Sequence, residues 1–162
     1  MVGPQATEGS PAEIQPSDDI YRRILPDWIV ADEKAPGGKR VTSAAFRKYR
    51  DGSPCSGYVA KEASIDVVLG PRTDCSVGAV TVEDLLAADY RVERDVVPGE
   101  HPSHVHLIEP TGLGKRALKD RWDTLAARTR WIHGPKWGQW ALEAVLPAIS
   151  ISLTPDTSST AE

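Results

Sequence analysis

The sequence predicts an α+β fold, a mostly antiparallel sheet covered by a long C-terminal amphipathic helix. Three observations carry that prediction. Short β-rich segments separated by Gly, Pro and Asp follow one another with few helical stretches between them, the pattern of neighbouring antiparallel strands rather than of β-α-β units. Leu118, Trp122, Leu125, Thr129 and Ile132 recur at helical spacing and define one face of a helix from about Lys115 to Ile132, stopped by Gly134-Pro135. The chain of 162 residues, 40% of them hydrophobic and 26% charged, has the size and composition of one globular domain.

Order is expected to begin at "SDDIYRRIL". This stretch reads either as a helix capped by Ser17, with Asp18 and Asp19 at its positive end, or as a strand in which Ile20, Arg22 and Ile24 alternate with Tyr21, Arg23 and Leu25. Pro26 ends both. "WIV" and "RVTSAAF" predict two strands around a hairpin-like turn at Pro36–Lys39, and "GYVA" and "SIDVVLG" are further β-rich pieces. Val77, Ala79 and Val80 predict a buried strand. Thr81, with Asp84 three positions on, then caps a helix from Val82 to about Ala88. "YRVERDVV" and "HVHLI" are strands joined through the turn "PGEHPS", and "KWGQWALEAVLP" is a second helical piece ended by Pro147. "AISISL" is a terminal strand or a surface segment. Residues 1–16 and the tail from Thr154 offer little to bury and are expected to be disordered, leaving a domain over residues 17–153.

The formal charge of −4 argues against a general nucleic-acid binder. No run approaches the roughly 18 apolar residues of a membrane span, and no signal-peptide pattern opens the chain. A cytoplasmic protein with reduced thiols is therefore expected. Cys55 and Cys75 lack CxxC spacing, and a disulfide between them is the alternative.

The densest cluster of candidate chemistry is "GEHPSHVHLIEPTGLGKR", residues 99–116. On a strand His104 and His106 share a face, a real metal-ligand geometry. The third ligand could come from His101, Glu100, Asp95 or His133, but none has diagnostic spacing. No metal or cofactor is therefore expected, and the imidazoles read as polar positions on a half-exposed strand. His104 or His106 is also a candidate general acid-base group. The glycine-lysine turn departs from the nucleotide-binding P-loop, with Glu109 where its first glycine would stand and Arg116 in place of Ser or Thr. Gly112, Gly114, Lys115 and Arg116 remain a candidate anion seat at a helix start. From Lys115 to Lys136 seven Lys or Arg face two Asp, a local net of +5. Trp137 and Trp140 beside that basic stretch are candidate interface residues. A protein partner fits them better than nucleic acid.

The chain also resembles a group of small bacterial proteins that begin with YRRI-x-P-x-W, continue with [ST]SAAF and later carry P-x-H ahead of a strand and a basic helix. The matching positions are Tyr21–Ile24 with Pro26 and Trp28, Thr42–Phe46, Pro102–His104, and Lys115 onward. The resemblance carries no established activity. It implies a bacterial protein of a multi-gene system and singles out His104 among the histidines. With the candidate interface at Trp137 and Trp140, the expected function is that of an accessory protein acting by protein binding. A second resemblance is to the residue order of ADP-ribosyltransferase-like domains, with Arg22, Ser43 and either Glu83 or Glu93 in the matching places. It implies a small enzyme acting on a phosphate-bearing substrate, and with His104 added from the histidine cluster the candidate catalytic residues are Arg22, Ser43 and His104.

Overall fold

A computed structural model describes residues 11–95 and 97–134. Eight strands and three α-helices follow in the order β1 (Asp19–Ile24), β2 (Ile29–Ala31), β3 (Lys39–Val41), β4 (Cys55–Val59), α1 (Ile65–Leu69), β5 (Ser76–Thr81), α2 (Val82–Ala87), β6 (Arg91–Arg94), β7 (His104–Ile108), α3 (Lys115–Arg128) and β8 (Arg130–His133). Six strands form one sheet in the order β6-β7-β4-β1-β5-β8, and β2 and β3 make a separate hairpin. Every pairing among the described residues is antiparallel. The fold is α+β, as the composition of segments predicts.

Alternation along the strands builds two unequal cores. Ile20 and Ile24 of β1, Val59 of β4, Val80 of β5 and Val105 and Leu107 of β7 lie on one face of the sheet. They pack there with Phe46, Leu85, Tyr90, Leu125 and Ala126. On the other face Val77 meets Val68, Leu69 and Cys75, with Tyr21, Leu25 and Tyr58 partly buried against them. The Tyr90 hydroxyl donates to the Phe46 carbonyl at 2.6 Å, so its polar end is satisfied inside the core. Cys55 and Cys75 are both buried free thiols.

Four expectations change. "SIDVVLG" forms helix α1 rather than a strand, because Ser64 caps it by accepting from the Val67 amide at 3.3 Å. "SAAF", expected to continue β3, winds into a 3-10 turn that buries Ala45 and Phe46. The long C-terminal helix is a 14-residue α3 that stops at Arg128. Its expected last turn becomes β8, because pairing with β5 satisfies the backbone of Arg130–His133 on a sheet edge. Trp122, Leu125 and Ala126 still turn toward the core, whereas Ile132 is exposed. Finally, residues 12–16 are anchored instead of forming part of a free leader. Ile14 packs on the core, Arg94 donates to the Ala12 carbonyl at 2.6 Å, and the Glu83 amide donates to the Pro16 carbonyl at 2.9 Å. The expected "KWGQWALEAVLP" helix, the "AISISL" segment and the tail lie outside the described residues. No helix among the described residues is long and apolar enough to cross a membrane.

Two features of this frame are open to test. Gly57 sits in mid-β4, where a Cβ would come within 2.5 Å of Ile20 Cγ2 and 3.2 Å of the Tyr21 carbonyl. Gly57→Ala is therefore expected to destabilise the fold by about 1–3 kcal/mol through overpacking, read from urea unfolding. Arg94 grips Glu62 with two bonds of 2.6 and 2.7 Å and holds its carboxyl below the ordinary carboxylate range. A depressed folded-state value means that this stabilisation is present above the unfolded value and is lost as pH falls through the folded one. Glu62→Gln is expected to cost about 1–2 kcal/mol at neutral pH and to flatten the loss of stability toward pH ~3. A pH series of unfolding curves checks both effects.

Candidate functional site

β1 is paired with β5 along its whole length, from Asp19–Thr81 to Ile24–Ser76, but with β4 only at Ile20–Val59 and Tyr21–Tyr58. Past Tyr21 the two strands run on unpaired. The opening between them is a cavity of about 240 Å3 lined by Arg22, Arg23, Leu25, Trp28, Ser56 and Tyr58, with Tyr49 beside them. Residues from both faces of β1 reach it because its edge is free there.

Arg22 is the unusual member. It occupies the buried phase of β1 between Ile20 and Ile24 and is 2% exposed. Gly78 lies directly across on β5 and takes up no side-chain volume beside it. The Arg22 Nε donates to the Ala45 carbonyl at 2.8 Å and Nη1 donates to the Ser56 carbonyl, which bridges the gap between β1 and β4. The guanidinium stands 5.4 Å from the centre of the Trp28 ring. Nη2 is buried without a partner, and no acidic side chain among the described residues pairs with Arg22. Arg23, on the other face, donates through Nε to the Val68 carbonyl at 2.8 Å and likewise has no acidic partner among the described residues.

The second concentration of chemistry lies on the same face as Tyr58. His104 pairs across the strands with Tyr58, and the two rings meet edge to face at 5.2 Å. Val105 and Leu107 point to the main core, so His104 and His106 project together from the opposite face. Asp95 lies just past β6, and its amide donates to the His104 carbonyl, extending the β6–β7 ladder by one position. One of its carboxylate oxygens, Oδ2, is 2.9 Å from His104 Nδ1 and 3.2 Å from His106 Nε2.

The sequence-predicted residues are thus separated. Arg22 and His104 project from opposite faces of the sheet, and Ser43 lies on the 3-10 turn, its Oγ 3.5 Å from Arg47 Nη2. Arg22, Ser43 and His104 do not converge. Glu83 and Glu93 are exposed on α2 and β6. At the glycine-lysine turn, Gly112 takes a left-handed φ of 78° and Gly114 caps α3 without a side-chain hydrogen bond. Lys115 and Arg116 stay exposed, and the adjoining groove holds the Glu109 carboxylate, which accepts from the Lys48 amide. His101 turns away to Ser103, 2.7 Å from its Oγ. Trp137 and Trp140 lie outside the described residues. Sequence reading missed Tyr49, Ser56 and Tyr58 altogether, although an arginine in phase with Ile20 and Ile24 was a visible sign of a buried charge.

Comparison with protein-family models, with curated proteins and with solved structures returns no match. The functional reading therefore rests on the geometry of the chain itself.

Tyr58 is the wall common to the cavity and the histidine cluster. Burial lifts its phenol above its ordinary value. In an alkaline near-ultraviolet absorbance titration, Tyr58→Phe is expected to remove one late-ionising phenol while that of Tyr90, also raised by burial, remains. Loss of an early-ionising phenol instead would contradict the buried placement.

Proposed function

We propose that this chain acts by binding a small anion, a carboxylate or a phosphate group, in the cavity between the diverging ends of β1 and β4. The observation that carries this reading is Arg22, a buried guanidinium with one nitrogen unpartnered and no acidic side chain beside it among the described residues. Burying an unpaired cation costs several kcal/mol. Two carbonyl acceptors and the Trp28 ring offset part of that cost, the ring by about 0.5–2 kcal/mol. An anion facing Arg22 and Arg23 supplies the missing charge, and the planar guanidinium fork suits carboxylate and phosphate oxygens. Trp28, Tyr49 and Tyr58 offer apolar surface to a short organic group attached to it.

Size narrows the ligand. The cavity of about 240 Å3 is smaller than the ~300–1,000 Å3 sites that enclose drug-sized molecules. It suits a small acid or phosphate ester and is too small for a dinucleotide. Of the small-enzyme reading, the phosphate-bearing ligand and Arg22 are retained, without a converging Ser43 and His104. The protein-partner reading rests on Trp137 and Trp140, and the large apolar side chains exposed among the described residues, Tyr49, Leu86, Val97, Leu113 and Ile132, come from separate segments.

Thermal unfolding in inorganic phosphate or succinate, against sodium chloride at equal ionic strength, tests this. The wild-type chain is expected to gain stability as the anion is added, by about 2.7 kcal/mol at a hundred times its Kd. Arg22→Met and Arg23→Met are each expected to abolish the gain. Equal gains in Arg22→Met and wild type, or none beyond the chloride control, would overturn the reading.

A further inference from the structure

The geometry points to a second site, independent of the anion cavity: a divalent transition-metal centre formed by Asp95, His104 and His106. These three offer ligand atoms that all lie within 4.8 Å of one another. A tetrahedral zinc ion with bonds of 2.0–2.1 Å holds its ligand atoms about 3.3 Å apart. The Asp95 oxygen lies 2.9 Å from His104 Nδ1 and 3.2 Å from His106 Nε2, so two of the three edges match with shifts of a few tenths of an ångström, and the third lies within 4.8 Å. The ligand types agree as well, since imidazole with one carboxylate suits zinc and its first-row neighbours, whereas calcium and magnesium take oxygen sets.

The fold holds the three groups in place from two directions. His104 and His106 are two apart on β7, and the ladder to β6 sets Asp95 across from His104. The His104 ring is confined between Tyr58 at 5.2 Å and His106 at 5.6 Å, both edge to face. Side-chain exposure is 9% for His104 and 11% for Asp95 but 37% for His106. The centre is therefore closed at its base and open at His106. Three protein ligands and an open side are the arrangement of reactive zinc sites, whose fourth position takes water or a substrate oxygen, rather than of closed structural ones. Glu93 lies across from His106 in the ladder, its carboxylate paired with Arg91 at 3.1 Å.

The simpler account is a hydrogen-bonded Asp–His cluster that only steadies the β6–β7 end of the sheet. Metal titration separates the two. Chelator-treated full chain is titrated with Zn2+ by calorimetry, and with Co2+ by its visible absorption, in chloride buffer free of phosphate and carboxylate. The expected result is one ion per chain with the visible bands of a four-coordinate nitrogen-oxygen site. Asp95→Asn and His106→Gln are each expected to weaken binding at least tenfold. His106 is the most exposed of the three, so its variant tests the site with the least risk to folding, which circular dichroism checks. Binding that survives in the His104→Ala/His106→Ala pair, or is unchanged in Asp95→Asn, would place the ion elsewhere and overturn the proposal. So would the absence of saturable binding in the wild type. No carboxylate or phosphate enters this experiment, so its failure leaves the Arg22 cavity untouched.

Discussion

The ladder between β1 and β4 ends after two pairs, and the chemistry of this protein depends on that early ending. A fully paired β1–β4 junction would spend the Ser56 carbonyl on a backbone amide and close the space that Arg22 now spans. Instead β1 keeps its complete ladder to β5, which anchors it, and leaves its other edge free beyond Tyr21. The Arg22 side chain takes the place of a strand partner by donating to Ser56 across the gap. The cavity, its aromatic lining and the meeting of residues from two faces of one strand all follow from this divergence.

The charged side chains divide into two groups by how they are satisfied. Arg94 with Glu62, Lys61 with Asp18 and Arg121 with Asp89 are ion pairs at or near the surface. The first joins the segment after β4 to β6, the second joins that segment to the residue before β1, and the third joins α3 to the turn after α2. Such exposed pairs contribute about 0–1 kcal/mol, and somewhat more where geometry is bidentate and part-buried. Arg22 belongs to the second group, satisfied without an acidic partner among the described residues. It is the most deeply buried arginine described and has carbonyl partners only. A chain selected for stability alone would place an apolar residue between Ile20 and Ile24, since well-packed apolar replacements of buried ions are often neutral or stabilising. Under the proposed function, that position is explained by anion recognition.

Much of the framework was legible in the sequence. The strand alternation of Ile20, Arg22 and Ile24 was one of two open readings of the first segment, beside a helix capped by Ser17, and Thr81 with Asp84 marked the start of α2. The common face of His104 and His106 followed from their spacing. What the sequence could not convey was tertiary. Ser64 and "IDVVL" look like a strand because Ile and Val dominate, and a cap hydrogen bond tips them into a helix. Ile132 matched the helical period of α3, yet its backbone found a better partner in β5. Asp95 is joined to His104 only through the β6–β7 register, which a turn of that length does not specify in advance. The anion cavity needed the order of strands, and strand order is not written in local spacing.

That strand order also governs how the molecule comes together. β1 is the first strand of the chain but lies inside the sheet, between partners that arrive much later, and β8 closes the far edge after α3. The sheet cannot grow outward in the order of synthesis. Until β4 and β5 are available, a nascent segment carrying Ile20 and Ile24 has no apolar face to join and no ladder to complete. Assembly then waits on long-range closures, the kind of topology that folds slowly and leaves strand edges exposed on the way. The cleft around Arg22 takes shape only when both neighbours have docked, so the proposed anion site belongs to the finished sheet.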